Sequence, residues 1–112
     1  MAGYVLHHYN IIDRSRIEEL GPRSLPIVEK YGGELVVASP MKTLAGPTSY
    51  TNMVMYRFES FEAALTFYNS EEMVELRKFS SEVIKGFATV VPSHSETESV
   101  VKSSYFAKEA AS

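Results

Sequence analysis

Asn52-Met53-Val54-Met55-Tyr56-Arg57-Phe58 is the stretch that decides the fold. Side chains alternate along an extended chain, so Val54, Tyr56 and Phe58 share one face and Met53, Met55 and Arg57 the other. Both faces are mostly apolar, the pattern of a strand covered on two sides. Just upstream, residues 39–51 contain Pro40, Gly46 and Pro47 and read as a loop long enough to carry function. Before that loop, residues 34–38 (ELVVA) read as another strand. Two strands therefore follow one another with no helix between them.

On the N-terminal side, Gly3 to Ile11 is rich in β-branched and aromatic residues and predicts the first strand. Asp13 then offers a helix N-cap, with Ile17 and Leu20 on one stripe. Gly21-Pro22 predicts an interruption, after which Leu25, Ile27, Val28 and Tyr31 resume the pattern up to a glycine cap at Gly32-Gly33. Pro26 falls early in that second piece, where a missing amide proton costs least. On the C-terminal side, Ser60 caps a helix carrying Phe61, Ala64, Leu65 and Tyr68. Ser70, followed by Glu71 and Glu72, caps another, carrying Met73, Leu76, Val83 and Ile84 and ending at Gly86. Residues 87–91 (FATVV) predict the fourth strand, closed by Pro92. The order strand, helix, strand, strand, helix, strand is the ferredoxin-like βαββαβ unit of the α+β class. Residues 1–92 form this domain. Residues 93–112, rich in serine with only Val100, Val101, Tyr105 and Phe106 to bury, are expected to be a flexible tail or an arm docked on a partner subunit.

The chain has 112 residues, the size of one domain. A domain this small buries about 60 to 70 per cent of its unfolded surface, so a deep private pocket is hard to build and a homo-oligomer is expected. A net charge of −3 with no dense Lys/Arg cluster argues against nucleic acid as a partner. The absence of cysteine removes disulfides, thiolate metal sites and thiol nucleophiles, and fits a cytoplasmic protein. No segment approaches the roughly 20 apolar residues that a bilayer span requires, and the N-terminus lacks the form of a signal peptide.

Tyr4-Val5, residues 27–35 (IVEKYGGEL), residues 58–64 (FESFEAA), residues 67–72 (FYNSEE) and Leu76-Arg77 together resemble the domain-of-unknown-function family thirteen-thirty. The resemblance spans about residues 3–92 and implies the dimeric α/β-barrel superfamily. Its members pair two ferredoxin-like subunits through their sheets and keep an apolar pocket between each sheet and its own helices. The superfamily implies proton or oxygen chemistry on hydrophobic, often aromatic molecules: it includes cofactor-free monooxygenases, haem enzymes, an isomerase and polyketide cyclases. Where the family usually carries an aspartate, a small residue and a tryptophan, this chain has His8, His7 and Phe67. The chain has no tryptophan and no histidine in its last predicted helix, which argues against the haem-degrading branch. The tyrosine and histidine of the plant polyketide cyclase line up with Phe67 and Met73, so proton carriers must come from elsewhere.

The residues themselves offer such carriers. His7 and His8 are adjacent on a strand and must point to opposite faces. An inward imidazole can give or take a proton near neutral pH. Registering the first strand by its helix start turns His7 and Tyr9 toward the helices. The first and third strands are neighbours in this fold, so His7, Tyr9, Asn52 and Tyr56 are expected to converge. An imidazole, two phenols and an amide can move a proton and hold an enolate oxygen. We assign His7, Tyr9 and Tyr56 as catalytic, and Asn52, Tyr68, Arg77, His8 and Phe67 as substrate-binding. Arg77 suits a carboxylate or enolate, or else a salt bridge to Glu59 or Glu62. His8 would face the dimer barrel and His94 the solvent. Met53, Met55 and Met73 suit an adaptable apolar lining or the core.

No metal site is expected, because adjacent strand histidines diverge and no HxH or HExxH spacing accompanies them. Gly32-Gly33 follows a helix rather than a strand, which argues against a nucleotide cofactor. The sequence thus points to a cofactor-independent homodimeric enzyme cyclising or isomerising a small hydrophobic, polyketide-like or aromatic substrate. The alternatives are cofactor-free oxygenation of an electron-rich aromatic, and a non-catalytic ligand-binding or dimerisation module.

Overall fold

In the computed structural model, which describes residues 2–102, four antiparallel strands form one sheet in the order β2-β3-β1-β4. The elements run β1 (Gly3–Ile11), α1 (Leu20–Lys30), β2 (Glu34–Pro40), β3 (Asn52–Phe58), α2 (Phe61–Tyr68), α3 (Glu71–Val83), β4 (Ile84–Pro92) and α4 (Thr97–Val101). This is the α+β, ferredoxin-like arrangement, with β1 central between β3 and β4. Register places Val5 opposite Tyr56 and Val90, His7 opposite Val54 and Ala88, and Tyr9 opposite Asn52 and Gly86. All these positions share the face on which the helices pack. Val5, Val28, Phe58, Ala64, Phe67 and Met73 form the core there.

Two serines start the helices as their spacing predicts. Ser60 Oγ accepts from Ala63 N–H at 3.0 Å and Ser70 Oγ from Met73 N–H at 3.2 Å. Each bond satisfies an amide that the first helical turn leaves without a partner. The end of α1 is also as expected. Gly32 adopts φ +77°, its N–H reaches Glu29 O at 3.0 Å, and Gly33 N–H reaches Val28 O at 2.9 Å. This double closure is the Schellman arrangement, and it turns the chain directly into β2.

Three local expectations are corrected. Asp13 does not cap a helix; its carboxylate accepts from Ser15 N–H (3.1 Å), the Ser15 hydroxyl (2.5 Å) and Arg16 Nε (2.7 Å), folding residues 13–16 into a turn. A 3-10 turn, Ile17–Glu19, leads from there into α1. Gly21-Pro22 does not interrupt α1 but lies in its first turn, where Pro22 gives up no hydrogen bond, and Pro26 lies inside the helix. Gly86 does not end α3, since Val83 is the last helical residue and Ile84 and Gly86 already belong to β4. A Cβ at Gly86 would lie 1.9 Å from His8 O, so glycine is required there by the close approach of β1.

After Pro92 the chain remains on the domain for the described residues. Ser93 N–H donates to Ala2 O at 2.7 Å, a 3-10 turn covers His94–Glu96, and α4 follows. Glu96 Oε2 accepts from Phe61 N–H at 3.3 Å, at the positive end of α2. Val100 is buried, Val101 is exposed, and Tyr105 and Phe106 lie outside the described residues. At the far end of α1, the Lys30 ammonium and the Tyr31 hydroxyl (2.9 Å) both bond to Glu72 of α3. The Lys30 bond comes first among the causes that hold the Glu72 carboxyl down to about 2.

Candidate functional site

A cavity of about 210 Å³ lies between the helix-facing side of the sheet and the helices α1, α2 and α3. The strands contribute Val5, His7 and Tyr9 from β1, Val54 and Tyr56 from β3, Leu35 and Ala38 from β2, and Ala88 from β4. Strand alternation puts His7 and Tyr9 on the same side, with ring centroids 5.6 Å apart. Ser24 and Leu25 of α1, Phe67 and Tyr68 of α2, and Met73, Leu76, Arg77 and Ser80 of α3 close the chamber from above.

The wall is mostly hydrocarbon, and this sets the chemistry of its polar groups. Burial disfavours the imidazolium of His7, and the neighbouring His8 adds to the effect, so the His7 pKa is lowered from 6.5. His7 is therefore a neutral base at neutral pH. Burial acts oppositely on phenols. The Tyr9 pKa is raised from 10.0 by burial and then by the nearby Tyr56. That of Tyr56 is raised by burial, against a smaller lowering by its hydrogen bond to Ser24. Both hydroxyls keep their protons and can donate. Tyr56 Oη donates to Ser24 Oγ at 3.5 Å, and its ring packs edge-on against Phe67 at 5.9 Å.

Arg77 is held by two contacts to one residue. Its NH1 donates to Tyr68 O at 2.8 Å, and the guanidinium carbon sits 4.2 Å from the centroid of the Tyr68 ring. The alternative salt bridge to Glu59 or Glu62 does not form among the described residues.

Six of the eight residues singled out from the sequence thus line one chamber: His7, Tyr9, Tyr56, Phe67, Tyr68 and Arg77. Phe67 is fully buried and packs against Phe58 with ring centroids 4.7 Å apart, so it is as much core as wall. Asn52 and His8 do not join them. Asn52 sits opposite Tyr9 in register, but at the strand end, where its amide donates to Thr51 Oγ1 at 3.0 Å. His8 points to the other face of the sheet and stacks on Phe87 at 5.2 Å, beside the loop at 41–50. Its Nδ1 is buried there without a hydrogen-bond partner among the described residues. His94 is exposed, in the turn before α4.

Two lining residues escape the sequence reading, and both carry a visible signal. Ser24 lies four residues from Leu20 and from Val28, a polar residue on the buried stripe of α1. Ser80 stands in the same relation to Leu76 on α3. The loop is also anchored from an unforeseen place: Asn10 Nδ2 donates to Ser49 O at 2.7 Å, and Asn10 Oδ1 accepts from Thr51 N–H at 3.0 Å. No three His, Asp or Glu side chains converge as a metal ligand set among the described residues. Nor is any described helix long and apolar enough to cross a membrane.

The family model described as domain of unknown function (DUF1330) matches residues 2–93. Comparison with curated proteins returns no match. Among solved structures, a protein of unknown function from Rhodopseudomonas palustris is similar with a TM-score of 0.65, 15% identity and 82% of each chain covered. SnoaB, a cofactor-independent oxygenase from Streptomyces nogalater, gives a TM-score of 0.62 at 5% identity over 83% of this chain and 93% of its own. A dabb-family protein with a ferredoxin-like fold from Mesorhizobium loti gives a TM-score of 0.50 at 11% identity over 82% of this chain and 96% of its own. At such identities these likenesses show the fold alone.

Proposed function

Since the chain belongs to the DUF1330 family, whose description assigns no reaction, we propose from the chamber itself that the protein is a cofactor-independent enzyme that moves a proton on a small hydrophobic, polyketide-like or aromatic substrate. The net reaction is a cyclisation or an isomerisation. The observation that carries this reading is a neutral imidazole, His7, in an apolar wall beside two protonated phenols. His7 takes a proton from the carbon next to a substrate carbonyl, and the enolate oxygen accepts from Tyr9 and from Tyr56, whose single O–H leaves Ser24 to do so. The imidazolium then returns the proton at another carbon or to the closing ring. Without substrate, Ser24 accepts the Tyr56 hydroxyl proton through a long bond that a substrate oxygen can replace. Tyr68 and Arg77 orient the substrate.

Cofactor-free oxygenation is the second reading, and the likeness to SnoaB favours it. It shares the first step, because a substrate must lose a proton before its carbanion can react with oxygen. Deuterium uptake from D2O into a model ketone such as 2-tetralone, followed by NMR, reads that shared step. The wild type is expected to accelerate exchange, and His7→Phe, with its fold verified by circular dichroism, to lose about 10²-fold or more. Exchange unchanged in His7→Phe would remove the histidine from the chemistry, and no acceleration by the wild type would leave a ligand-binding module. Oxygen consumption during turnover separates the two enzymatic readings.

A second copy of the chain is the proposed partner. The sheet face away from the helices presents Leu6, Met53 and Met55, with Phe87 at 47% and Val91 at 40% exposure. Pairing of two such faces would cover this apolar surface and complete the surroundings of His8.

A further inference from the structure

The chamber wall holds one permanently charged side chain, Arg77, and among the described residues it holds no aspartate, glutamate or lysine. Arg77 is half-buried beside this hydrocarbon with no carboxylate partner among the described residues, and an anion would supply one. Its geometry is already set. NH1 is occupied by Tyr68 O, and the plane is held against the Tyr68 ring. No other hydrogen bond engages the guanidinium among the described residues, so the rest of its planar fork remains for a ligand. The transient enolate has its own donors in Tyr9 and Tyr56. The fixed charge therefore calls for a fixed counter-charge rather than one that forms only during reaction.

We infer that the substrate is a hydrophobic carboxylic acid, bound as its carboxylate by Arg77 with its apolar body along Val5, Val54, Leu76 and Ala88. This deepens the proposed function and rests on the same chamber. Two parallel N–H···O bonds to one carboxylate suit the fork, whereas a lysine would offer only a point charge.

The test compares 2-naphthoate with its neutral analogue 2-naphthylmethanol, titrated calorimetrically into the full chain. The wild type is expected to bind the carboxylate at least about tenfold more tightly, the size of a charge-assisted hydrogen bond. Arg77→Met should abolish the preference, and Arg77→Lys should retain part of it. Circular dichroism checks that each variant is folded. Equal affinities in the wild type, no binding of 2-naphthoate, or a preference that survives Arg77→Met overturns the assignment. Should the preference be absent while His7→Phe still silences proton exchange, the carboxylate is wrong and the proton chemistry stands.

Discussion

A single imidazole carries the pH behaviour expected of this protein. With its pKa below 6.5 in the folded chain, His7 is neutral above that value and becomes charged as the pH falls. Activity and the associated stability are therefore full above about pH 6.5 and are lost as the pH falls through the folded pKa. Tyr9 and Tyr56, raised above 10.0, keep their donors until strongly alkaline pH. The pH profile of kcat/KM is expected to have its acid midpoint below 6.5 and its alkaline midpoint above 10.0, and a midpoint at or above 6.5 would mean that His7 is solvated. At this scale the sequence is readable where alternation alone decides, as for His7, Tyr9 and Tyr56. It is less readable where a strand ends. Asn52 has the right parity, but it lies at the strand terminus, beyond the cover of the helices.

The strands and most caps follow from spacing, because Ser60, Ser70 and Gly32 each satisfy local backbone groups that no distant contact needs to supply. Gly21-Pro22 misleads for a related reason: the same pair that breaks a helix interior is tolerated in a first turn, and only the preceding 3-10 turn fixes where that turn falls. Gly86 misleads because the crowding that requires it comes from β1, far away in sequence. Gly86→Ala is expected to destabilise the protein by about 3 kcal/mol through forced separation of β1 and β4. Gly21→Ala, with nothing within 4 Å of the added carbon, should instead stabilise by up to about 1 kcal/mol. Urea midpoints of the two variants check the pair, and equal shifts would contradict the packing described.

For the molecule as a whole, the order of elements was enough to give the sheet and its helical layer, whereas the surface left uncovered by that layer is where the proposed second copy would pair. Sedimentation velocity at micromolar concentration is expected to find a dimer, and Phe87→Arg with Val91→Arg to yield folded monomers. A wild-type monomer would refute the pairing. The central place of β1 also bears on how the protein is made. Its hydrogen-bonded partners are Asn52–Phe58 and Ile84–Pro92, both of which follow it in the chain. On the ribosome, Tyr4 to Ile11 thus leaves the exit tunnel before both of its neighbours and waits for them until synthesis has passed Pro92. During that interval the nascent segment is a sticky, unpaired strand, and its histidine, made before both flanking strands, is enclosed only once the second of them has been made.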